Sequence, residues 1–332
     1  MEVRKVQITG GSSYIITLPK EWIKASNIKK NDPVGLLLQS DGTLLITSKM
    51  KQEQLYKTKE FDANKIPKET FLLRKLIGAY ISGYTSIIIK SPTRMPASTR
   101  NVIRTFTQNT IGQEIVEETD NSITLKDLLN PTEMPFDRTI KRMQIIVKGM
   151  SEDTLKALKT SDKKLSEEVI LRDTEVDRLH WLIARQYHMI LQNVSLAEKM
   201  NLTISLASTY FLISRIIERI GDHNVRIAQN IQNLKTNHQI IDKIEKASIL
   251  SLDIFNKSIS SFFRKDIRAS NENIDSVEKL EKLCEELNTL ALQQKGIIVI
   301  SVGYIVESIR RIGEYAENIC ETAINYLVDE EK

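Results

Sequence analysis

The spacing of apolar positions changes period along this chain and divides it into three regions. Residues 3–9 alternate apolar and polar, and residues 14–18 are rich in β-branched and aromatic side chains. Gly10-Gly11-Ser12-Ser13 between them predicts a turn. Pro19 is placed to open a short helix over residues 20–25. Residues 34–39 and 43–47 flank Ser40-Asp41-Gly42, a hairpin signal. The first region, residues 1–50, therefore reads as β, short helix, β-hairpin. So small a unit holds little core, and a partner copy is expected to complete it. Residues 51–68 are polar, without a clear period, and read as a linker. Residues 69–130 mix periods: helix over 71–82, strand over 87–89, helix over 96–108, and a hairpin from 115–118 and 122–125. This is a small α+β module, ended by Pro131 and Pro135. From residue 136 the period is helical, with breaks near 160–166, 193–201, 234–239, 263–267 and 293–296. The pattern gives about six long helices in two sets of three, residues 136–234 and 238–328, each set an antiparallel bundle.

The two sets repeat a phrase. Arg219-Ile220-Gly221-Asp222 in the first matches Arg311-Ile312-Gly313-Glu314 in the second, with Ile227 and Ile319 following at the same interval. A glycine within a helix costs about 1 kcal/mol relative to alanine. Two at matching points imply one reason, close approach of a neighbouring helix, and hence a duplicated unit.

Composition adds little until it is mapped. The 332 residues carry 47 Lys and Arg against 43 Asp and Glu, a net charge of +4, too small to argue for a nucleic-acid partner on its own. Residues 1–50 carry seven bases against four acids, however. This excess of three, most of the net charge, sits on a seventh of the chain. Two cysteines, Cys284 and Cys320, match no metal-binding spacing and suit a reducing compartment. No apolar run is long enough for a bilayer, so no membrane insertion and a cytoplasmic location are expected.

The acids are paired at helical spacing. Asp173 and Asp177 are four residues apart, as are Glu218 and Asp222 on a later helix. Like charges at i and i+4 share a helix face and repel by a few tenths of a kcal/mol. Two such pairs converging would repel further unless a cation lay between them, and an all-oxygen set suits a hard metal. Alternatively, Arg172, Arg178, Arg215, Arg219 and Arg226 satisfy the acids as a solvated ion-pair surface. In the second repeat Arg310 replaces Glu218 and Ile274 replaces Asp173, leaving Glu278 and Glu314 as a weaker second site that Arg310 is expected to disable.

These motifs carry two resemblances. Asp173-Thr-Glu-Val-Asp177-Arg-Leu and Glu218-Arg-Ile-Gly-Asp222-His-Asn resemble the paired acidic motifs of the PhoU family. That resemblance covers about residues 136–327. It implies tandem three-helix bundles, regulation of phosphate uptake, and a metal, iron or zinc and otherwise Mg or Mn, at Asp173, Asp177, Glu218 and Asp222. The chain departs from the family where Arg226 stands in place of an asparagine, which Asn318 retains in the second repeat. The amino-terminal segment, Arg4-Lys5-Val6-Gln7 and Ser13 through Trp22 followed by Lys29-Lys30-Asn31-Asp32, resembles the AbrB/MazE/SpoVT swapped-hairpin fold. That implies a homodimeric β-barrel on double-stranded DNA, and the order of parts is similar to archaeal phosphate uptake regulators. Arg4, Lys5, Ser13, Tyr14, Lys20 and Lys24 are the candidate DNA contacts, since phosphate neutralisation supplies most such affinity.

The expected function is a DNA-binding transcriptional regulator of phosphate homeostasis with a metal-binding bundle. The alternative is a protein-interaction adaptor for a phosphate transporter or signalling partner, with the barrel used only to dimerise. An enzyme is not expected: no nucleophile has a base in motif, and Gly10-Gly11-Ser12-Ser13 lacks the phosphate-loop lysine.

Overall fold

A computed structural model describes residues 2–38, 42–48, 57–234 and 238–330. It divides into two compact units, residues 1–56 and 57–332.

In the first unit, β1 (Gln7–Thr9) pairs antiparallel with β2 (Ser13–Ile15), Ile8 opposite Tyr14. Gly10 and Gly11 take φ of +60° and +79° between them, the left-handed region that glycine enters freely. Helix α1 (Lys20–Ala25) follows Pro19, then β3 (Gly35–Leu38) pairs with β4 (Leu44–Thr47). The turn expected at Ser40-Asp41 lies outside the described residues. The first strand is shorter than its alternation suggests. The two hairpins form separate two-stranded sheets, not a closed barrel. No described residue from 2 to 48 is buried: Ile8 is 66 % exposed, Tyr14 74 % and Leu38 73 %.

The second unit begins earlier than the sequence suggests. Residues 58–62, expected within a linker, are strand β5 (Thr58–Asp62), which pairs in parallel with β6 (Ser86–Lys90) across helix α2 (Glu69–Ile81). After α3 (Ala97–Gln108), strands β7 (Gln113–Glu118) and β8 (Ser122–Asp127) form a hairpin. The sheet order is β5-β6-β8-β7. Leu72, Leu76, Ile103 and Phe106 from the helices and Ile87, Ile89, Ile123 and Leu125 from the strands make its core.

Then come α4 (Phe136–Thr160), α5 (Lys163–Gln192), a one-turn α6 (Val194–Lys199) and α7 (Ile204–Ile231). The helix α6 lies inside the expected break at 193–201. Asp162 caps α5 by accepting from the Leu165 amide at 3.1 Å, and Thr203 caps α7 from Leu206 at 3.0 Å. The second set is α8 (His238–Arg264), α9 (Ile267–Asp275), α10 (Val277–Ala291) and α11 (Ile297–Glu330). Where α5 is continuous, its counterpart is broken at Ser276 into α9 and α10. One apolar core runs through both sets, from Phe136 to Leu327. Both cysteines are buried, free thiols, and Cys284 belongs to this core.

Candidate metal centre

Helices α5 and α7 run antiparallel. His180 Nδ1 lies 3.0 Å from Ser214 Oγ, Tyr187 stacks on Phe211 at 4.9 Å, and a Cβ built on Gly221 would stand 3.0 Å from Asp173 Oδ1 and 3.6 Å from Val176. Gly221 thus lets the helices close at the level of the acids, as its place in the repeat implies. Gly313 does the same against Leu280, but there it meets an aliphatic side chain.

Antiparallel packing brings the two acidic pairs face to face. Burial raises the pKa of Asp177 to about 7, and the charges of Asp173, Glu218 and Asp222 push it the same way. Burial and then Asp222 raise Glu218 to about 7, with Asp173 adding to the push. Asp173 rises to about 6, through burial and then Asp222. Burial also raises Asp222, while Arg219 and Arg226 pull it back. Asp173 Oδ1 is buried without a hydrogen-bond partner. These are four carboxylates penalised for being charged, Glu218 and Asp222 offset in part by neighbouring arginines.

The arginines relieve Glu218 and Asp222 in part through their charge, without pairing with them. Arg172 pairs with Asp153 at 2.9 Å instead. Among the described residues, Arg178, Arg215, Arg219 and Arg226 form no ion pair with any of the four acids. The donors therefore suit a hard cation: all oxygen, one of them orphaned, mutually repelling. Their side chains are not drawn into a finished ligand shell, and among the described residues no three such groups are already arranged to hold an ion.

The second repeat is different. Glu278 is exposed and pairs with Lys282 of its own helix at 2.6 Å. Glu314 is bound by Arg310 and, at 2.9 Å, by Arg311. Arg310 also pairs with Glu307 at 2.8 Å. The structure does not bring Glu278 and Glu314 together as a second site; each has its own base.

In the first unit, Arg4 donates to Thr17 Oγ1 at 3.0 Å and pairs with Glu2. Lys5, Ser13, Tyr14, Lys20 and Lys24 are all exposed, with Lys20 and Lys24 one turn apart on α1. Arg94, Arg100 and Arg104 face the β7–β8 hairpin, towards Asp120 and Glu118. Arg100 pairs with Glu118 and donates to the carbonyls of Thr119 (2.8 Å) and Asp120 (3.0 Å).

One constellation escaped the sequence. Arg185 on α5, 2 % exposed, pairs with Asp127 at the end of β8, donates to the Tyr80 carbonyl of α2 and sits 4.9 Å from the Tyr80 ring. Beside it Gln186 donates to the carbonyls of Pro131 (2.7 Å) and Met134 (2.9 Å). Trp181 packs into the core of the α+β module. The available signal was negative: Arg185 and Gln186 interrupt the apolar run of residues 182–184 without starting a polar face.

Comparison with known proteins bears on this geometry. The PhoU domain family matches residues 140–231 and 244–323, just over half of the chain. The chain belongs to the PhoU family. Residues 7–54 match a second family, described as antidote-toxin recognition MazE, bacterial antitoxin. An uncharacterized protein of Methanocaldococcus jannaschii is 24 % identical over 56 % of this chain and 63 % of its own length. A phosphate-specific transport system accessory protein PhoU homolog of Caulobacter vibrioides is 32 % identical over 34 % of this chain and 47 % of its own. The chain thus spans less than two thirds of either relative. The crystal structure of PhoU from Pseudomonas aeruginosa shares the fold, with a TM-score of 0.51 at 19 % identity over 59 % of this chain and 96 % of that one. The phosphate transport system regulatory protein PhoU of Streptococcus pneumoniae gives 0.50 at 20 % over 57 % and 92 %. Among the described residues no helix is long and apolar enough to cross a membrane.

Proposed function

We propose that this PhoU-family chain is a DNA-binding regulator of phosphate uptake, dimeric through residues 1–50, with a metal held in the first repeat. The observation that carries the DNA-binding half is the absence of any buried side chain among the described residues of the first unit. Ile8, Leu36, Leu38 and Leu44 are all more than half exposed on strands too few to make a core. A second copy interleaving its hairpins would cover them and double the local positive charge. The match to the MazE family over residues 7–54 supports that reading. Lys5, Lys20 and Lys24, with Arg4, Ser13 and Tyr14, are the residues to meet the duplex. The names of the Caulobacter relative and the Streptococcus structure support phosphate transport as the regulated process.

The metal would be held by Asp173, Asp177, Glu218 and Asp222. It would supply positive charge where four acids now oppose one another. The oxygen donors suit iron, Mg or Mn on hardness, and zinc also accepts carboxylates.

A gel-shift titration over salt tests the DNA role. Binding is expected at low ionic strength and should weaken steeply as salt rises. No retention of any duplex at low salt would leave the adaptor reading, with the first unit serving only to pair two chains. Elemental analysis tests the metal: the wild type should carry ions that the Asp177→Ala/Asp222→Ala double variant lacks. Equal metal content in both would remove the site.

A further inference from the structure

Positive charge is gathered towards one end of this chain, and it does not stop with the first unit. Residues 1–75 carry fourteen bases against eight acids, an excess of six, so the remaining residues are acidic by two. Half of the excess belongs to residues 57–75, on β5 and α2, with six bases against three acids. Two of those acids are already matched, Glu60 by Lys90 at 2.9 Å and Asp62 by Lys65 at 3.8 Å.

Lys59 on β5 and Lys75 on α2 have rings for partners in place of acids. Lys59 Nζ lies 6.0 Å from the centre of the Phe61 ring and 5.8 Å from that of Tyr84. Lys75 Nζ lies 5.7 Å from Phe61 and 4.9 Å from Phe71. Neither lysine forms an ion pair among the described residues, nor does the exposed Arg74 beside Lys75. A carboxylate would cancel an ammonium charge. The negative face of a ring orients the charge and leaves it whole.

Gly78 adds an independent observation. It is exposed on α2, one turn beyond Arg74. A glycine inside a helix costs about 1 kcal/mol relative to alanine, and no described atom stands within 4 Å of a Cβ built there. Gly221 and Gly313 admit a neighbouring helix; Gly78 admits nothing among the described residues. A bare stretch of helix backbone beside three unmatched cations suits the close approach of a polyanion.

We propose that the β5–α2 face of the second unit is a further contact for duplex DNA, with Lys59, Arg74 and Lys75 on backbone phosphates and the strand seated against Gly78. The proposal rests on the DNA reading of the first unit. Eight residues separate Ser48 from Lys57 and reach about 30 Å at most when fully extended. A duplex held by the first unit is therefore within range of this face. Contacts to phosphate add affinity and salt dependence without adding sequence choice.

A salt titration of the full chain on a duplex of mixed sequence tests this. The wild type is compared with Lys59→Gln/Arg74→Gln/Lys75→Gln and with Lys20→Gln/Lys24→Gln in the first unit. Each phosphate contact contributes about 0.9 to the slope of log K against log salt, so the triple variant should lose about two to three from that slope per chain. Its melting curve by circular dichroism should match the wild type. Gly78→Gln should weaken binding about tenfold without lowering the melting midpoint, because it favours the helix that glycine weakens. A triple variant with the wild-type slope, while the first-unit variant loses slope, overturns the further contact and leaves the DNA reading of the first unit standing. That holds even if the same lysines retain an acidic protein or an anionic vesicle. A Gly78→Gln chain that binds as tightly as the wild type overturns the seat on α2. A wild type that retains no duplex at low salt overturns both readings together.

Discussion

Asp177 sits between three other acids on a face closed by Gly221, and both features have measurable consequences. The folded pKa values of Asp173, Asp177 and Glu218 lie above their ordinary ones, at about 6, 7 and 7. A raised carboxylate pKa means the folded state binds more protons than the unfolded state. Its stabilising contribution is therefore present at low pH and is lost as pH rises through the folded pKa. Metal-free protein should melt at higher temperature at pH 5 than at pH 8, and calorimetry across that range should record the fall. Asp177→Asn should flatten the slope and stabilise the metal-free protein at pH 8 by on the order of 1 kcal/mol, discounted for partial solvent access. A melting temperature that climbs from pH 5 to pH 8 would contradict this convergence. Gly221→Leu should cost about 1–3 kcal/mol by forcing α5 and α7 apart, read by denaturant titration. The acidic quartet was legible because i, i+4 spacing fixes which side chains share a face. The antiparallel register that sets one pair against the other was not, since no local pattern encodes it.

At the scale of elements, α5 has two ends with different partners. Its first half carries Asp173 and Asp177; its second half is gripped by the α+β module through Trp181, Arg185 and Gln186. Arg185→Leu leaves Asp127 charged in a space that excludes water, and should cost about 3–5 kcal/mol. Adding Asp127→Leu should recover most of that loss, and a double-mutant cycle in urea reads the coupling. Additive losses would mean that the pair does not interact. Nothing in the spacing of α5 announces this, because a lone arginine on a helix usually faces solvent and its partners lie 58 and 105 residues away. Strand β5 was missed for a related reason. Thr58-Lys59-Glu60-Phe61-Asp62 is polar because it is an edge strand with one solvated face, and charge on an edge protects against aggregation. The long helices were legible throughout, since each buries a continuous stripe; the break at Ser276 was not, because the apolar period carries on across it.

For the whole molecule, the contrast lies between a unit with two continuous cores and one with no buried side chain among its described residues. Residues 57–332 should fold without residues 1–56 and keep their thermal midpoint within about 2 °C, measured by circular dichroism. Conversely, Ile8→Glu with Leu38→Glu should leave that midpoint unchanged while halving the mass in sedimentation. A full-length double variant that remains paired would place the dimer contact elsewhere. The sequence conveyed the division into a β-rich head and helical repeats, because periodicity and repetition are both written locally. It could not convey that the α+β module would join the bundles, a fact held in Arg185, Asp127 and the covered back of α5.

An amino-terminal head that acquires an interior only by meeting its twin would make cellular abundance part of the control circuit. Below the pairing threshold most copies would be single and silent. Up to that threshold the number of competent DNA readers would grow as the square of chain concentration, and beyond it only in proportion, so a modest change in synthesis near the threshold would give a more than proportional change in DNA occupancy.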